Sequence, residues 1–388
     1  MAGIAAAGAL SAAAPPAGRL RLDRARPDDD DAIRELLRDQ PMGGAIRLTL
    51  EREPSAWLAA GIEGERHTTV VARDETSGRL LGMGSRAVRT AWVGGRPARL
   101  GYLSQLRRRP ALRSHRGLLA AGYAACEATR AADELAFDLT TIVADNHAAR
   151  RLLERGLPGL PVYRPWCELV TLTLPAGRRP RPLPSGIERA ADRDLPAVAA
   201  CLERNLRRYQ FAPVWTLDDL RSPVRARGLA AADFLIARDP GAPGERVAGC
   251  LALWDQRGFK QVVIRGYAPA VARSRPLINA LATLAGRPRL PAPGSVLALA
   301  YLSHLGVDGD RSEVVVDLVR AARAEAARRG LGHLTLGLAR DHPMLPALRR
   351  AFPARELVSV LYLVHRRDAA PAVAALDGRC PHVEVATL

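Results

Sequence analysis

One short string occurs twice in the chain, and any fold has to accommodate both copies. Tyr102-Leu-Ser-Gln-Leu106 returns as Tyr301-Leu-Ser-His-Leu305. Other landmarks follow each copy in the same order. A long amphipathic stretch covers residues 118–132 and again 314–329. A strand pattern comes next, at 136–144 and 333–339, then a polar turn at Asn146 or Asp341 that opens another helix. Upstream, both halves begin with a short strand and an Asp-rich helix start, at residues 20–37 and 186–202. Acidic residues at such starts satisfy free N–H groups and match the helix dipole. This shared order implies an internal duplication.

Residues 175–186 separate the copies. Four prolines and two glycines there exclude both a helix and a central strand. A length of 388 residues suits two domains. The expected division is an Ala-rich tail at 1–18, a domain at 19–175, a Pro-rich linker at 176–186, a second domain at 187–367 and an extension at 368–388. The extension reads as an added edge strand or a dimer contact, so a homodimer is one expectation. Within each half, hairpin signals precede the long helix: residues 68–73 against 80–88, and 87–93 against 96–106 across Gly94-Gly95. Residues 234–238, 247–254 and 261–264 repeat them. Residues 168–174 and 357–365 read as final strands. The fold class is therefore α/β (α+β), with two tandem domains, each a mixed, largely antiparallel twisted sheet flanked by helices.

Charge and cysteine usage remove several function classes. The net charge is +17, which ordinarily points to nucleic acid. Yet Lys260 is the only lysine among 57 basic residues, and the Arg residues are scattered in pairs on amphipathic stretches. That skew reads as genome composition, and nucleic acid is not the expected partner. The five cysteines are isolated, with no metal-ligand spacing, so a reduced, cytoplasmic protein without metal is expected. No apolar run is long enough to span a membrane, and no membrane partner is expected. The Ala-rich start lacks a basic segment and reads as a loose tail, not a signal peptide. Gly82-Met-Gly84-Ser-Arg-Ala87 resembles a dinucleotide fingerprint but sits inside a strand pattern.

Two motifs in the first half carry a resemblance. The first is Leu106-Arg-Arg-Arg-Pro-Ala-Leu-Arg113-Ser-His-Arg116-Gly117-Leu-Leu119, between strand and helix. The second is a strand ending at Asn146, followed by Ala149 and a helix. Together with the element order they are similar to the GNAT superfamily of acyl-CoA-dependent N-acetyltransferases. The resemblance implies a tandem member using acetyl-CoA as cosubstrate and transferring its acyl group to a primary amine in a ternary complex. The loop would hold a pyrophosphate on free helix N–H groups, with Arg113, Ser114, His115, Arg116, Gly117 and Leu118 around it. Backbone groups at Leu106, Arg107 and Arg108 would polarise the thioester carbonyl. Asn146 would lie beside the pantetheine arm as well as capping its helix.

Base candidates are Glu51, Glu53, His115 and Glu168, with Glu53 preferred. The family's Tyr on the last helix is missing, and Tyr163 on the following loop is the candidate acid. Met42, Gly43 and Ser104 would contact the acceptor, a small-molecule or peptide amine. The second half reads Gly306-Val-Asp-Gly-Asp-Arg-Ser312 at its loop. Asp308 and Asp310 would repel a pyrophosphate there, so the second half is expected to keep the fold and lose the cofactor site. A catalytically inactive acyl-CoA-binding or interaction protein is the rival reading.

Overall fold

A computed structural model describes residues 20–110, 112, 117–177, 179–239, 246–284 and 289–388. The first half runs β1 (Leu20–Arg24), α1 (Asp30–Arg38), β2 (Ile46–Glu51), α2 (Ala56–Glu63), β3 (Arg66–Asp74), β4 (Leu80–Val93), β5 (Arg96–Arg108), α3 (Leu118–Glu127), β6 (Glu134–Val143), α4 (His147–Glu154) and β7 (Val162–Pro175). The second half runs β8 (Ile187–Arg189), α5 (Leu195–Leu206), α6 (Leu217–Arg221), β9 (Phe234–Arg238), β10 (Val247–Trp254), β11 (Gln261–Tyr267), α7 (Pro269–Leu284), β12 (Leu299–Val307), α8 (Ser312–Arg328), β13 (His333–Ala339), α9 (Leu345–Ala351), β14 (Arg355–His365) and α10 (Ala370–Ala374).

The duplication reaches down to single side chains. Asp29 accepts from the Arg26 N–H ahead of α1 and is held by Arg73 of β3 at 2.7 Å. Asp194 accepts from the Ala191 N–H ahead of α5 and is held by Arg238 of β9 at 2.9 Å. Gly94 and Gly95 turn β4 into β5 with φ of +58° and +76°, which suits a two-residue hairpin.

Twelve strands form one sheet in the order β1-β3-β4-β5-β6-β14-β7-β13-β12-β10-β9-β8. The order is symmetric about the β14–β7 pair, because the halves exchange their last strands. β14 pairs with β6 of the first half, and β7 pairs with β13 of the second. Packing follows the pairing: Val170, Leu172 and Leu174 of β7 sit in the main core of the second half.

Two expectations from the sequence differ from this architecture. Residues 261–267 leave the second half's sheet; β11 instead pairs with β2 in a separate two-stranded sheet. Residues 380–388 are neither an edge strand nor an exposed tail. They run through the interior, with Gln210 donating to the Cys380 carbonyl at 2.9 Å and His382 to the Gln210 carbonyl at 2.8 Å. Their backbone hydrogen bonds are made to loops of the second half rather than along a sheet edge.

Candidate active site

The repeated string supplies the same irregularity twice. Between Met83 and Ser85 of β4, β5 carries one extra residue, and Gln105 takes φ +55°. Between Cys250 and Ala252 of β10, β12 does the same, and His304 takes φ +53°. A positive φ at a non-glycine residue is a strained state that persists only where the surroundings hold it. Such bulges re-aim side chains and end regular pairing. β5 runs parallel with β6 as far as Tyr102 opposite Leu139, and β12 with β13 as far as Tyr301 opposite Thr335. Beyond those residues each pair splays, and the bulge lies at the mouth of the splay.

Around the first bulge, polar atoms are buried without partners. Among the described residues, Ser104 Oγ, Gln105 Nε2 and Arg107 Nε have none. Burial beside Arg52 also lowers the Arg107 pKa. Three such atoms on one bulge are available to a polar ligand. Leu106 is exposed. Beneath the bulge, Leu103 packs in a cluster with Leu153 of α4, Tyr163, Val360 and Tyr362, with Tyr123 against it. The Tyr163 hydroxyl bonds that of Tyr123, and burial holds the Tyr163 phenol well above its ordinary pKa, hence protonated.

The other sequence candidates are distributed as follows. Gly117, at φ +80°, precedes α3 as its cap residue, and Leu118 begins that helix. Arg113, Ser114, His115 and Arg116 lie outside the described residues. Arg108 is exposed at the end of β5. Asn146 caps α4, accepting from the Ala149 N–H at 3.2 Å. Glu53 pairs with Arg34 and Arg38 of α1. Met42 bridges Leu48, and Gly43 stands in open space beside β2. Of the base candidates, Glu51 is buried on Arg265 at 2.6 Å, and Glu168 pairs with Arg340.

The second bulge is closed. Glu384 accepts the His304 N–H at 2.8 Å. Ser303 Oγ meets His304 Nδ1 at 2.9 Å. The His304 ring lies against Trp215, Phe234 and Trp254, with the Trp215 centroid at 4.2 Å. Burial lowers the His304 pKa to about 3, so the ring is neutral. The following loop is also filled. Asp308 accepts from Arg204 at 2.9 Å, Asn205 at 2.8 Å and Arg246 at 2.9 Å, while Asp310 takes Arg208 at 2.7 Å and the Tyr209 hydroxyl at 2.6 Å.

Two ionisable groups between the halves escaped the sequence reading. Glu384 lines a small cavity with Arg89, Gly101, Tyr102 and Phe211. Burial pushes its pKa up to about 7, against the pull of the His304 and Ala386 N–H groups and Arg89. Lys260 is buried over the Tyr301 ring and donates to the carbonyls of Ala386 and Leu388. Burial brings its pKa down to about 7, although Glu63 opposes the shift. One signal for Lys260 was available. Among 57 Lys and Arg residues the one Lys is the side chain whose pKa burial can bring to neutrality, since a guanidinium stays charged.

No family model matches the sequence, and a search of curated proteins returns no match. Solved structures do match. Saccharomyces cerevisiae N-myristoyltransferase with bound myristoyl-CoA superposes with a TM-score of 0.57 at 12% identity, over 90% of this chain and 80% of that one. A GCN5-related glucosamine N-acetyltransferase region of a fungal multi-domain β-N-acetylglucosaminidase gives 0.58 at 15% identity, over 89% of this chain and 38% of that one. With the splayed, bulged strand pair present in both halves, these likenesses identify the chain as a tandem repeat of the GNAT fold.

Proposed function

We propose that the protein is an acyltransferase that moves an acyl group, acetyl in the simplest case, from acyl-CoA to a primary amine at the first bulge. The carrying observation is the difference between the bulges: among the described residues the first leaves Ser104 Oγ, Gln105 Nε2 and Arg107 Nε unpartnered, while at the second only His304 Nε2 is, its ring walled in by Trp215, Phe234 and Trp254 and its N–H held by Glu384. The fold's structural neighbours include proteins described with myristoyl-CoA or as an N-acetyltransferase, which supports an acyl-CoA cosubstrate.

In this reading the loop from Arg113 to Leu118 holds the pyrophosphate, and Asn146 borders the pantetheine arm. Backbone N–H groups at Leu106–Arg108 polarise the thioester carbonyl. Glu384 is the base candidate: it lines a cavity with Gly101 and Tyr102 of β5, two residues before Ser104, and burial pushes its pKa up to about 7. Glu53 is the weaker candidate, since it is already paired with Arg34 and Arg38 of α1. The neutral amine attacks the carbonyl carbon and passes its proton to the base. The carbon–sulfur bond then breaks, and the thiolate takes a proton from the Tyr163 phenol or solvent. Met42 and Gly43 beside β2, with Ser104 on β5, would meet the acceptor.

Calorimetric titration with acetyl-CoA, free CoA and ATP tests the binding step, and CoA release with a panel of small and peptide amines tests the chemistry. One saturable CoA site per chain with turnover supports the proposal. Binding without CoA release from any amine would leave a binding protein, and absence of binding would overturn both readings.

A further inference from the structure

The small lobe built on β2, β11 and α7 carries a surface that neither bulge uses. α7 buries none of its side chains. Leu277, Leu281 and Leu284 recur at helical spacing and are 64%, 57% and 85% exposed, with Ile278 beside them. Fully solvated leucines in a row on one helix are uncommon and mark an interaction surface. Charge narrows the occupant. From Gln256 to Val307 the sequence has no Asp or Glu but seven Arg or Lys. Arg273 on α7 and Arg289 just beyond it are exposed.

A second copy of the chain fits this face poorly, because two such faces would bring Arg against Arg with no local carboxylate between them. The helix rests on β11 through its other face, where Arg275 lies over the Tyr267 ring and Asn279 bonds the Leu290 backbone, so the apolar stripe flanked by cations faces outward and matches an anionic bilayer surface. We infer that α7 docks this protein on an anionic lipid surface, with its leucines in the interface and Arg273 and Arg289 against headgroups. Among the described residues no helix is long and apolar enough to cross a membrane. Lying on a surface needs no such helix.

Co-flotation of the full-length chain with phosphatidylcholine vesicles, with or without phosphatidylserine, tests this. Binding should require phosphatidylserine and weaken as salt rises from about 0.1 M to about 0.5 M. The Leu277→Asp/Leu281→Asp variant should lose binding by on the order of tenfold or more. Both positions are exposed, so circular dichroism should show an unchanged fold. Arg273→Glu should give a smaller loss. Failure to bind the anionic vesicles overturns the inference, as does binding that ignores the leucine substitutions. If the leucine variant instead abolishes a dimer seen by sedimentation and vesicles are not bound, the face belongs to a second copy.

Discussion

The first and second halves follow one chain path but stabilise it by different means. The repeated strings align β5 with β12, which places Arg86 and Asp138 of the first half at the positions of Leu253 and Leu334 in the second. In the first half those positions form a buried ion pair. Arg86 donates to Asp138 at 2.8 Å and pairs with Glu134 at 2.8 Å, while Arg130 reaches Asp138 at 2.9 Å. A Cβ on Gly101 would run into both charged groups, so glycine is needed there. In the second half, Leu253 and Leu334 join the main core, and Ala300 stands where Gly101 does. The long helices differ likewise: α8 buries nine residues and α3 only Cys126. One half is an apolar scaffold; the other keeps polar groups and looser packing beside its bulge. Functional sites are where such local compromises concentrate.

The sharpest test of that contrast is Asp138→Leu. Removing one partner leaves Arg86 buried with less compensation, and stability should fall by about 3–5 kcal/mol in denaturant unfolding. The double change Arg86→Leu with Asp138→Leu copies the second half and should recover most of that loss. A double variant as unstable as the single one would mean that the ion pair is not interchangeable with an apolar pair.

Glu384 gives the next effect. Its folded-state pKa of about 7 lies above the ordinary 4.5, so the folded state binds more protons than the unfolded one between those values. Stability attributable to this group is therefore present below about pH 4.5 and lost as pH rises towards 7. Glu384→Gln still accepts the His304 N–H and should raise stability above pH 7 by up to roughly 3 kcal/mol. It should also reduce any turnover. Lys260 has the opposite sign, since its depressed pKa makes stability recover as pH rises from about 7 to 10.5. Thermal unfolding across pH, wild type minus Glu384→Gln, isolates the carboxyl; a flat difference would discard the assignment.

Binding separates the halves directly. Arg113→Glu should weaken acetyl-CoA by at least about a hundredfold, through lost and reversed charge at a phosphate. Arg311→Glu, ahead of α8 in the second half, should leave it unchanged. Equal losses would show that both loops hold the ligand. The smallest effect belongs to Asn146→Ala, which should cost about 1 kcal/mol as a lost helix cap. A tenfold or greater rise in KM for acyl-CoA at unchanged stability would add a ligand contact to the cap.

Much of the fold was legible because it rests on local signals. The glycine pair between β4 and β5, the aspartates ahead of α1 and α5, and the Asn146 cap act within a few residues of themselves. Both bulges fall within the doubled Tyr-Leu-Ser string, which as sequence signalled a repeat but neither an extra residue nor a strained φ. The site was legible in outline only. Glu53 stood out as a carboxylate near the expected acceptor region, but its commitment to Arg34 and Arg38 depends on how α1 packs. Glu384 and Lys260 carried little or no local signal as acid–base groups, because their shifts arise from burial between segments distant in sequence.

By itself the sequence determined the duplication, the order of elements, the turns and caps, and the acidic character of the second loop, since each depends on spacing or on the chemistry of neighbouring residues. Only the tertiary structure decided that β7 and β14 change places, that β11 joins β2, and that Glu384 is buried between the His304 N–H of one half and Gly101 and Tyr102 of the other. Strand partners and burial are chosen by contacts between residues far apart in the chain, where hydrophobic area and desolvation outweigh local preference.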